Sequence, residues 1–504
     1  MSKPPNHIRD CVELLEALVE DRAGLADMDT DTRNRLLMAA GRLSRPERNE
    51  QRVLARAMRK KNKRERRAAD EALLERTGIR RQRLLPLFVA PDASARAEAH
   101  ASAPDEPDLS DATLNDLRVC YVCKAPRERL HFFYDQLCES CGDFNYAKRS
   151  QTADLAGRVA YISGARVKIG YQAALMLLRA GARVIVSTRF PRDAALRYSR
   201  ETDFAAFRDR LQIYGLDLRH TPSVEAFARQ MSRSEQRLDF VLHNACQTVR
   251  RPSGFYRHLM EGELAPLSAL PAAARPLLDE YEAMRCALPP QLADASGQGL
   301  AIGLRSAPAL SQVALTEEDL QAGSQLFPTG QLDADLQQVD LRAINSWRLA
   351  LDQVGTVELL EVQLVNAIAP FVLNARLKPL LLRQPSADKH IVNVSAMEGQ
   401  FYRRFKTDKH PHTNMAKAAL NMMTRTSAPD YARDGIHMNS VDTGWVTDED
   451  PAHIAQRKTA EHGFQPPLDI VDGAARIVDP IFDGMNSGRH VWGQFLKDYR
   501  PTAW

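Results

Sequence analysis

No uninterrupted apolar run in these 504 residues approaches the ~20 that a membrane helix needs. The longest uncharged stretch, near Val362–Ala375, is short and holds Gln363, Asn366 and Pro370. The first thirty residues are charged and lack the apolar centre of a secretory signal. An excess of one charge is missing too: 68 Lys and Arg face 64 Asp and Glu, so at a net +4 any basic patch is local. Cysteine is scarce and odd in number, seven in all, which argues against a secreted disulfide scaffold. These absences lead to the expectation of a soluble cytoplasmic protein with no membrane partner. What is present is ordinary for a globular chain, 44% hydrophobic and 26% charged, and the length allows about three domains.

Residues 1–88 read as a basic helical region. Apolar residues in Val12–Val19 and Leu36–Leu43 recur at helical spacing. Ser44 and Glu47 form an S-x-x-E capping box with Pro46 in the first turn, which predicts a third helix running to Thr77 with Gly78 as its stop. Between Arg42 and Arg83, sixteen Lys or Arg stand against six Asp or Glu. Arg45, Arg48, Arg52, Arg56, Arg59 and Lys63 are three or four apart and share one face. The helix 45–67 is then either a contact surface for nucleic acid or protein, or a solvated face that aids solubility. No aromatic side chains interleave with the charges to stack on bases.

Residues 89–115, rich in Ala, Ser, Pro and Asp, read as a flexible linker, and 116–150 as a separate small module. From 151 to 504, short β-branched runs alternate with amphipathic helical stretches, the pattern of an α/β domain with a doubly wound parallel sheet. Strands are predicted at Val159–Ser163, Arg183–Thr188, Ile213–Leu216, Phe240–His243, His390–Val394 and His437–Val441, with a last one at His490–Gly493. About 250–353 interrupts the pattern and reads as an insertion, partly helical and partly mobile.

Cys120-x2-Cys123 is followed after fourteen residues by Cys138-x2-Cys141. Two such pairs approach the spacing of a zinc ribbon: each makes a tight knuckle, and the loop between them brings four thiolates into one tetrahedron. A module of roughly thirty residues lacks a core of its own, and Zn2+ would supply the missing folding free energy. Four cysteine ligands leave no open position, so the zinc would be structural. A redox dithiol needs only one of the pairs. Cys11, Cys246 and Cys286 stand alone.

The strand Val159–Ser163 runs into Gly164-Ala165-Arg166-Val167-Lys168-Ile169-Gly170 and then a helix. Strand, glycine turn and helix N-terminus make an anion site for a pyrophosphate, the opening of a Rossmann-type fold. The next strand ends Ser187-Thr188-Arg189, where an NAD site usually places an acid for the ribose 2′-hydroxyl. No acid is present. Thr188 and Arg189, with Arg166 as a second cation, suit the 2′-phosphate of NADP. The plain alternative is that Arg189 is an ordinary surface residue.

At these residues the chain resembles the short-chain dehydrogenase/reductase family, over about 155–250 and 355–450. The family's TGxxxGxG stands here as Ser163-Gly164-x-x-x-Lys168-Ile169-Gly170, with Lys168 in place of the middle glycine. The resemblance implies that Asp217 holds the adenine and that Asn244-Ala245 is the remnant of the NNAG segment. It implies that Asn366 supports a water-linked proton relay, that Ser395 is the catalytic serine, and that Thr447, after Asp442-Thr443-Gly444, lies near the nicotinamide amide. Lys417 would hold the nicotinamide ribose. A homo-oligomer through the helices near Val357–Arg376 and His412–Ala432 is implied in the same way.

One family group is absent. YxxxK becomes Thr413-x-x-x-Lys417, a spacing that keeps both side chains on one helix face. A phenol starts near pKa ~10, whereas an aliphatic hydroxyl resembles water at ~15.7. Closing that gap costs about 7 kcal/mol, more than a neighbouring lysine supplies. Thr413 is left to position a group or a water. Tyr402, His410 and His412 are nearby in sequence as other donors, and histidine is the commonest general acid. Two functions follow. One is an NADP-dependent oxidoreductase that transfers hydride to or from an unidentified substrate with a non-standard proton donor. The other is a catalytically degenerate NADP-binding sensor or scaffold whose zinc module and basic helix bind nucleic acid or protein.

Overall fold

The computed structural model describes residues 5–83, 109, 112–287, 302–321, 325–333, 337–402, 406–463 and 465–504. The expected linker at 89–115 lies almost wholly outside the described residues. The chain divides into two compact units, Met1–Asp70 and Glu71–Trp504.

The first unit is helical: α1 (Pro5–Glu20), α2 (Thr30–Ser44) and most of α3 (Arg48–Glu75). Asp29 caps α2 by accepting the Thr32 N–H at 3.0 Å. Val12, Val19, Leu37, Leu43 and Val53, the apolar periodicity that predicts these helices, remain exposed. The expected capping box on α3 is corrected. Ser44 is the last residue of α2 and donates to the Gly41 carbonyl (3.1 Å), while the Glu47 N–H turns to the Glu50 carboxylate (3.1 Å). An S-x-x-E box needs its serine outside the preceding helix, and here that helix runs through it. Gly78 opens the short helix α4 (Gly78–Gln82), just past the end of α3.

The second unit continues with a hairpin of β1 (Thr113–Val119) and β2 (Pro126–Arg129) and with α5 (Glu139–Arg149). The α/β region then alternates β3 (Val159–Ser163), α6 (Lys168–Arg179), β4 (Arg183–Thr188), α7 (Pro191–Tyr198), β5 (Leu211–Gly215), α8 (Thr221–Ser234) and β6 (Phe240–His243). After the insertion come α9 (Thr356–Leu381), β7 (Lys389–Ser395), α10 (Pro411–Arg433), β8 (Ile436–Asp442), α11 (Ala452–His462), α12 (Ile470–Ser487), β9 (Phe495–Lys497) and β10 (Arg500–Thr502). Eight strands form one sheet in the order β10-β9-β8-β7-β6-β3-β4-β5, parallel except for β10. β3 and β7 are buried along their whole length, as strands with helices on both faces must be. The chain is thus a Rossmann-type doubly wound fold. The order reverses between β3 and β6, and the strands end at Ser163, Thr188, His243, Ser395 and Asp442 along the sheet edge that carries that switch point.

Two expectations are corrected. The last parallel strand is β9, not His490–Gly493, because Gly493 takes φ +65 and breaks extension just before it. One helix, α9, does reach membrane length: 26 residues with a mean hydropathy of 1.5 across its most apolar window. A search for uncharged runs misses it because Glu358, Glu361 and Arg376 punctuate it. Here it packs on α8 and α10 beside the sheet. The helix also loosens. Pro370 cannot donate to the carbonyl of Asn366, four residues back. Leu364–Ile368 accordingly form a π turn, with the Ala369 N–H bonded to the Leu364 carbonyl.

Candidate functional site

A cavity of about 540 Å³ opens at the switch point. The glycine turn forms one wall. Gly164 takes φ +70, and a Cβ there would stand 2.7 Å from Ala245 Cα. At Gly170 a Cβ would meet Asn244 Nδ2 at 2.3 Å, the atom that donates to the Gly164 carbonyl (2.9 Å). The Ala245 N–H donates to Ser163 Oγ (3.1 Å). Gly164, Gly170, Asn244 and Ala245 therefore interlock, and the backbone is left bare where a diphosphate would approach. Lys168 replaces a glycine yet keeps a left-handed φ of +55. That conformation costs an L-residue about 1–2 kcal/mol. Lys168 opens α6, and it and Ile169 line the cavity.

At the end of β4, the Arg189 guanidinium lies 4.6 Å from the Tyr256 ring centre and donates to the Tyr256 hydroxyl (2.6 Å). Among the described residues no carboxylate pairs with it. Thr188 Oγ1 accepts the Phe190 N–H (3.2 Å). Arg166 is engaged differently: it donates to Asp193 (2.6 Å), so the expected second cation is already committed. Asp217 is fully buried and accepts from Arg219 (2.6 Å). Burial opposes its charge, but Arg219 outweighs that and holds the carboxyl below its usual range. Arg219 continues to Glu361 (2.9 Å), Glu361 to Gln247 Nε2 (3.0 Å), and the Gln247 N–H to Asn366 Oδ1 (2.8 Å). This polar chain joins the adenosine end of the cleft to the expected relay asparagine. Thr447 lines the cavity and donates to Glu449 (2.7 Å).

Ser395 ends β7 beside Asp442 of β8. Lys417, on α10, donates to the Val394 carbonyl (2.8 Å), one residue before Ser395. Thr413, one turn earlier, is buried with it. Ser395 Oγ and Thr413 Oγ1 have no hydrogen-bond partner among the described residues, although both are buried. His412 Nε2 lies 3.4 Å from Glu358 of α9. Tyr402 is 96% exposed. Unlike the glycine turn, none of Ser395, Thr413, Lys417, Asn366 and His412 lines the cavity. The end of the insertion packs against this side: Trp347 stacks on His410 at 3.9 Å and 5°, and the His410 N–H donates to the Leu349 carbonyl (2.8 Å). Tyr256, Glu358, Glu361 and Trp347 carry no sequence signal, because each pairing spans dozens of residues without a fixed spacing.

The four cysteines converge, with all four Sγ atoms within 4.8 Å of one another. Cys123 Sγ and Cys138 Sγ are 3.7 Å apart. A tetrahedron with Zn–S bonds of ~2.3 Å has edges of about 3.8 Å, so the set fits that ion. The Cys138 N–H donates to Cys120 Sγ (3.3 Å), as suits a thiolate acceptor. His131, buried between Gly142 and the Phe133 and Tyr134 amides, is pushed down to about 4 by burial and stays neutral.

Strand order and the switch-point cavity define a Rossmann-type domain whose glycine turn forms one wall of that cavity. Comparison with known proteins agrees. Residues 350–466 match the family described as Enoyl-(Acyl carrier protein) reductase. Dehydrogenase/reductase SDR family member 13 of Bos taurus is 40% identical over 112 residues, 20% of this chain and 27% of that protein. Uncharacterized protein R665 of Acanthamoeba polyphaga mimivirus is 29% identical over 397 residues, 76% of this chain and 75% of that one. Among solved structures, the Pseudomonas aeruginosa RhlG/NADP active-site complex aligns with a TM-score of 0.42 at 18% identity, covering 68% of this chain and 95% of that one. The α/β region is thus similar to short-chain dehydrogenases/reductases over part of its length.

Proposed function

We propose that the chain is an NADP-dependent oxidoreductase of the short-chain dehydrogenase/reductase type, with a proton donor other than tyrosine. The observation that carries this reading is the cleft wall at the end of β4. There Arg189 stacks on aromatic rings and forms no ion pair among the described residues, although Asp217 is near enough to feel its charge, and the turn has no room for a Cβ at Gly164 or Gly170. A guanidinium so oriented suits a 2′-phosphate. The bound cofactor would supply or accept hydride at nicotinamide C4. Lys417 would bind the ribose and lend positive charge beside Ser395, whose unpaired Oγ would orient a substrate oxygen. Pro370 withholds an amide from the Asn366 carbonyl, leaving it able to bind a relay water. Titration of the protein with NADPH and NADH, then NADPH consumption against aldehydes, ketones and quinones, tests the reading. Equal affinity for the two cofactors refutes the NADP preference.

The absence of Ser395, Thr413 and Lys417 from the cavity lining favours a second reading, an NADP-binding sensor or scaffold without turnover. Binding without consumption of NADPH with any substrate selects it.

Cys120, Cys123, Cys138 and Cys141 would hold one structural Zn2+. Metal analysis of a Cys138→Ser, Cys141→Ser variant tests this, and retained stoichiometric zinc refutes it. Exposed Leu360, Ile368 and Phe371 on α9 and Met415 and Met422 on α10 support a homo-oligomer through these helices, tested by light scattering at micromolar concentration. The fully exposed cations of α3 support a nucleic-acid contact, whose affinity would fall steeply with salt.

A further inference from the structure

Tyr121 sits inside the first cysteine knuckle, yet its hydroxyl serves the cleft. It accepts the N–H of Trp445 at 3.0 Å. Trp445 follows Gly444 and begins the segment whose next residues, Thr447–Pro451, line the nucleotide cavity. Gly444 takes φ +75, and a Cβ there would lie 3.4 Å from the same hydroxyl.

The far end of that segment is held from the same side. Arg83 donates to Gln465 Oε1 (2.9 Å) and to the carbonyls of Pro466 and Leu468, the latter at 3.2 Å. Gln136 Nε2 donates to the Gln465 carbonyl (2.7 Å). Arg149, on the helix that Cys138 precedes, pairs with Asp469 (2.8 Å) and Asp472 (3.0 Å) at the start of α12. The Leu468 N–H donates to the Trp445 carbonyl (3.3 Å), so the two ends meet. The segment is therefore held at both ends, by Tyr121 between two of the cysteines and by Arg83, Gln136 and Arg149.

We propose that the four-cysteine module is a strut for the nucleotide cleft, and that Tyr121 is its positioning residue. Metal ligation at Cys120 and Cys123 fixes the knuckle between them, and Tyr121 transmits that geometry to the Thr447 wall. The proposal rests on the NADP(H) and zinc readings above.

Hydrogen exchange on the full chain tests it, comparing the parent, Tyr121→Phe, Arg83→Gln and the chelator-stripped parent. Tyr121→Phe keeps the ring and removes only the acceptor. The Trp445 amide should exchange about tenfold faster, with the change confined to 445–451 and 465–468 and the melting temperature near that of the parent. NADPH should bind about fivefold more weakly. Arg83→Gln should loosen 465–468 first, and stripping should loosen these peptides together with 112–150. Unchanged exchange at Trp445–Thr447 in both Tyr121→Phe and the stripped protein overturns the strut. Raised exchange with an unchanged NADPH Kd overturns its role in the cleft. A parent that purifies without metal overturns the metal's part. A parent that binds no NADPH but shows the exchange change removes the cofactor reading and leaves the strut standing.

Discussion

On the proposed reading the cleft has a phosphate half and a hydride half, and the two are built on opposite principles. The phosphate half is open to the cavity and made of backbone: Gly164 and Gly170 exclude side chains, and Arg189 is displayed on an aromatic platform. The hydride half is closed and made of buried side chains, with Lys417 bonded to Val394 and Trp347 stacked on His410. Backbone geometry tolerates little change, because Gly164 and Gly170 leave no room for a Cβ and the Gly164 N–H and carbonyl are bonded to Ser187 and Asn244. A buried side-chain site tolerates substitution so long as volume and polarity are served, and a threonine stands there where the family that the chain resembles has tyrosine. The comparison teaches that, on the proposed reading, nucleotide binding and chemistry would be separable in this chain.

The sharpest way to break the comparison is at the glycine turn. Gly170→Ala would drive a methyl into Asn244 Nδ2 (2.3 Å) and the Gly164 carbonyl (2.5 Å). Neither atom can retreat without opening the turn. NADPH titration should show binding lost altogether and the melting temperature lowered, while a variant that binds like the parent would refute the backbone argument.

The next effect is on stability and pH. His243 ends β6 at the switch point, fully buried, with Nε2 donating to Asn374 Oδ1 (2.8 Å). Burial pushes its pKa down to about 4. The unfolded chain takes up this proton near pH ~6.5, the folded chain only near 4, so stability contributed above ~6.5 is lost as pH falls towards 4. The loss is at most about 3 kcal/mol. Urea unfolding of parent and His243→Gln should show their stability difference shrinking from pH 7 to pH 4.5. A constant difference would place the titration elsewhere.

A smaller effect tests the cation of the phosphate half. Arg189→Ala removes one guanidinium from a solvent-facing anion contact, about 1.4 kcal/mol or tenfold in Kd for NADPH. NADH affinity should hardly move, so the ratio of the two is the measurement.

Much of the phosphate half was legible because its chemistry is local in sequence. The glycine turn follows its strand directly, and Thr188-Arg189 ends the next one. The parallel strands were equally legible as short β-branched runs. Side-chain pairings across the fold were not. The Arg219 guanidinium on Asp217 and the Asp193 carboxylate on Arg166 are pairings that single residues do not announce. Tyr256 comes from an insertion with no periodicity, and Tyr121 lies between two cysteines with no spacing that ties it to Trp445. Ser44 shows the limit of local motifs, since its box was real in sequence but the preceding helix claimed the residue.

The smallest expected effect is at the position that differs most from the family. Thr413 Oγ1 is buried and has no partner among the described residues, so Thr413→Ala removes no hydrogen bond, only a hydroxyl and a methyl group. An aliphatic hydroxyl that would have to lose a proton near pH 7 starts from about 15.7, and a single lysine cannot bring it within range. Thr413→Ala should therefore change NADPH Kd and any turnover by less than about threefold, whereas Lys417→Ala should weaken NADPH and abolish turnover. Thr413→Tyr sharpens the contrast. A phenol there would share a helix face with Lys417, and carbonyl reduction should appear or rise if His412 and Glu358 leave room for the ring. Stopped assays of NADPH consumption on all three variants decide the matter. Total loss of turnover in Thr413→Ala with NADPH still bound would give threonine a direct part in proton transfer, and would make the closed half of the cleft as intolerant of change as the open one.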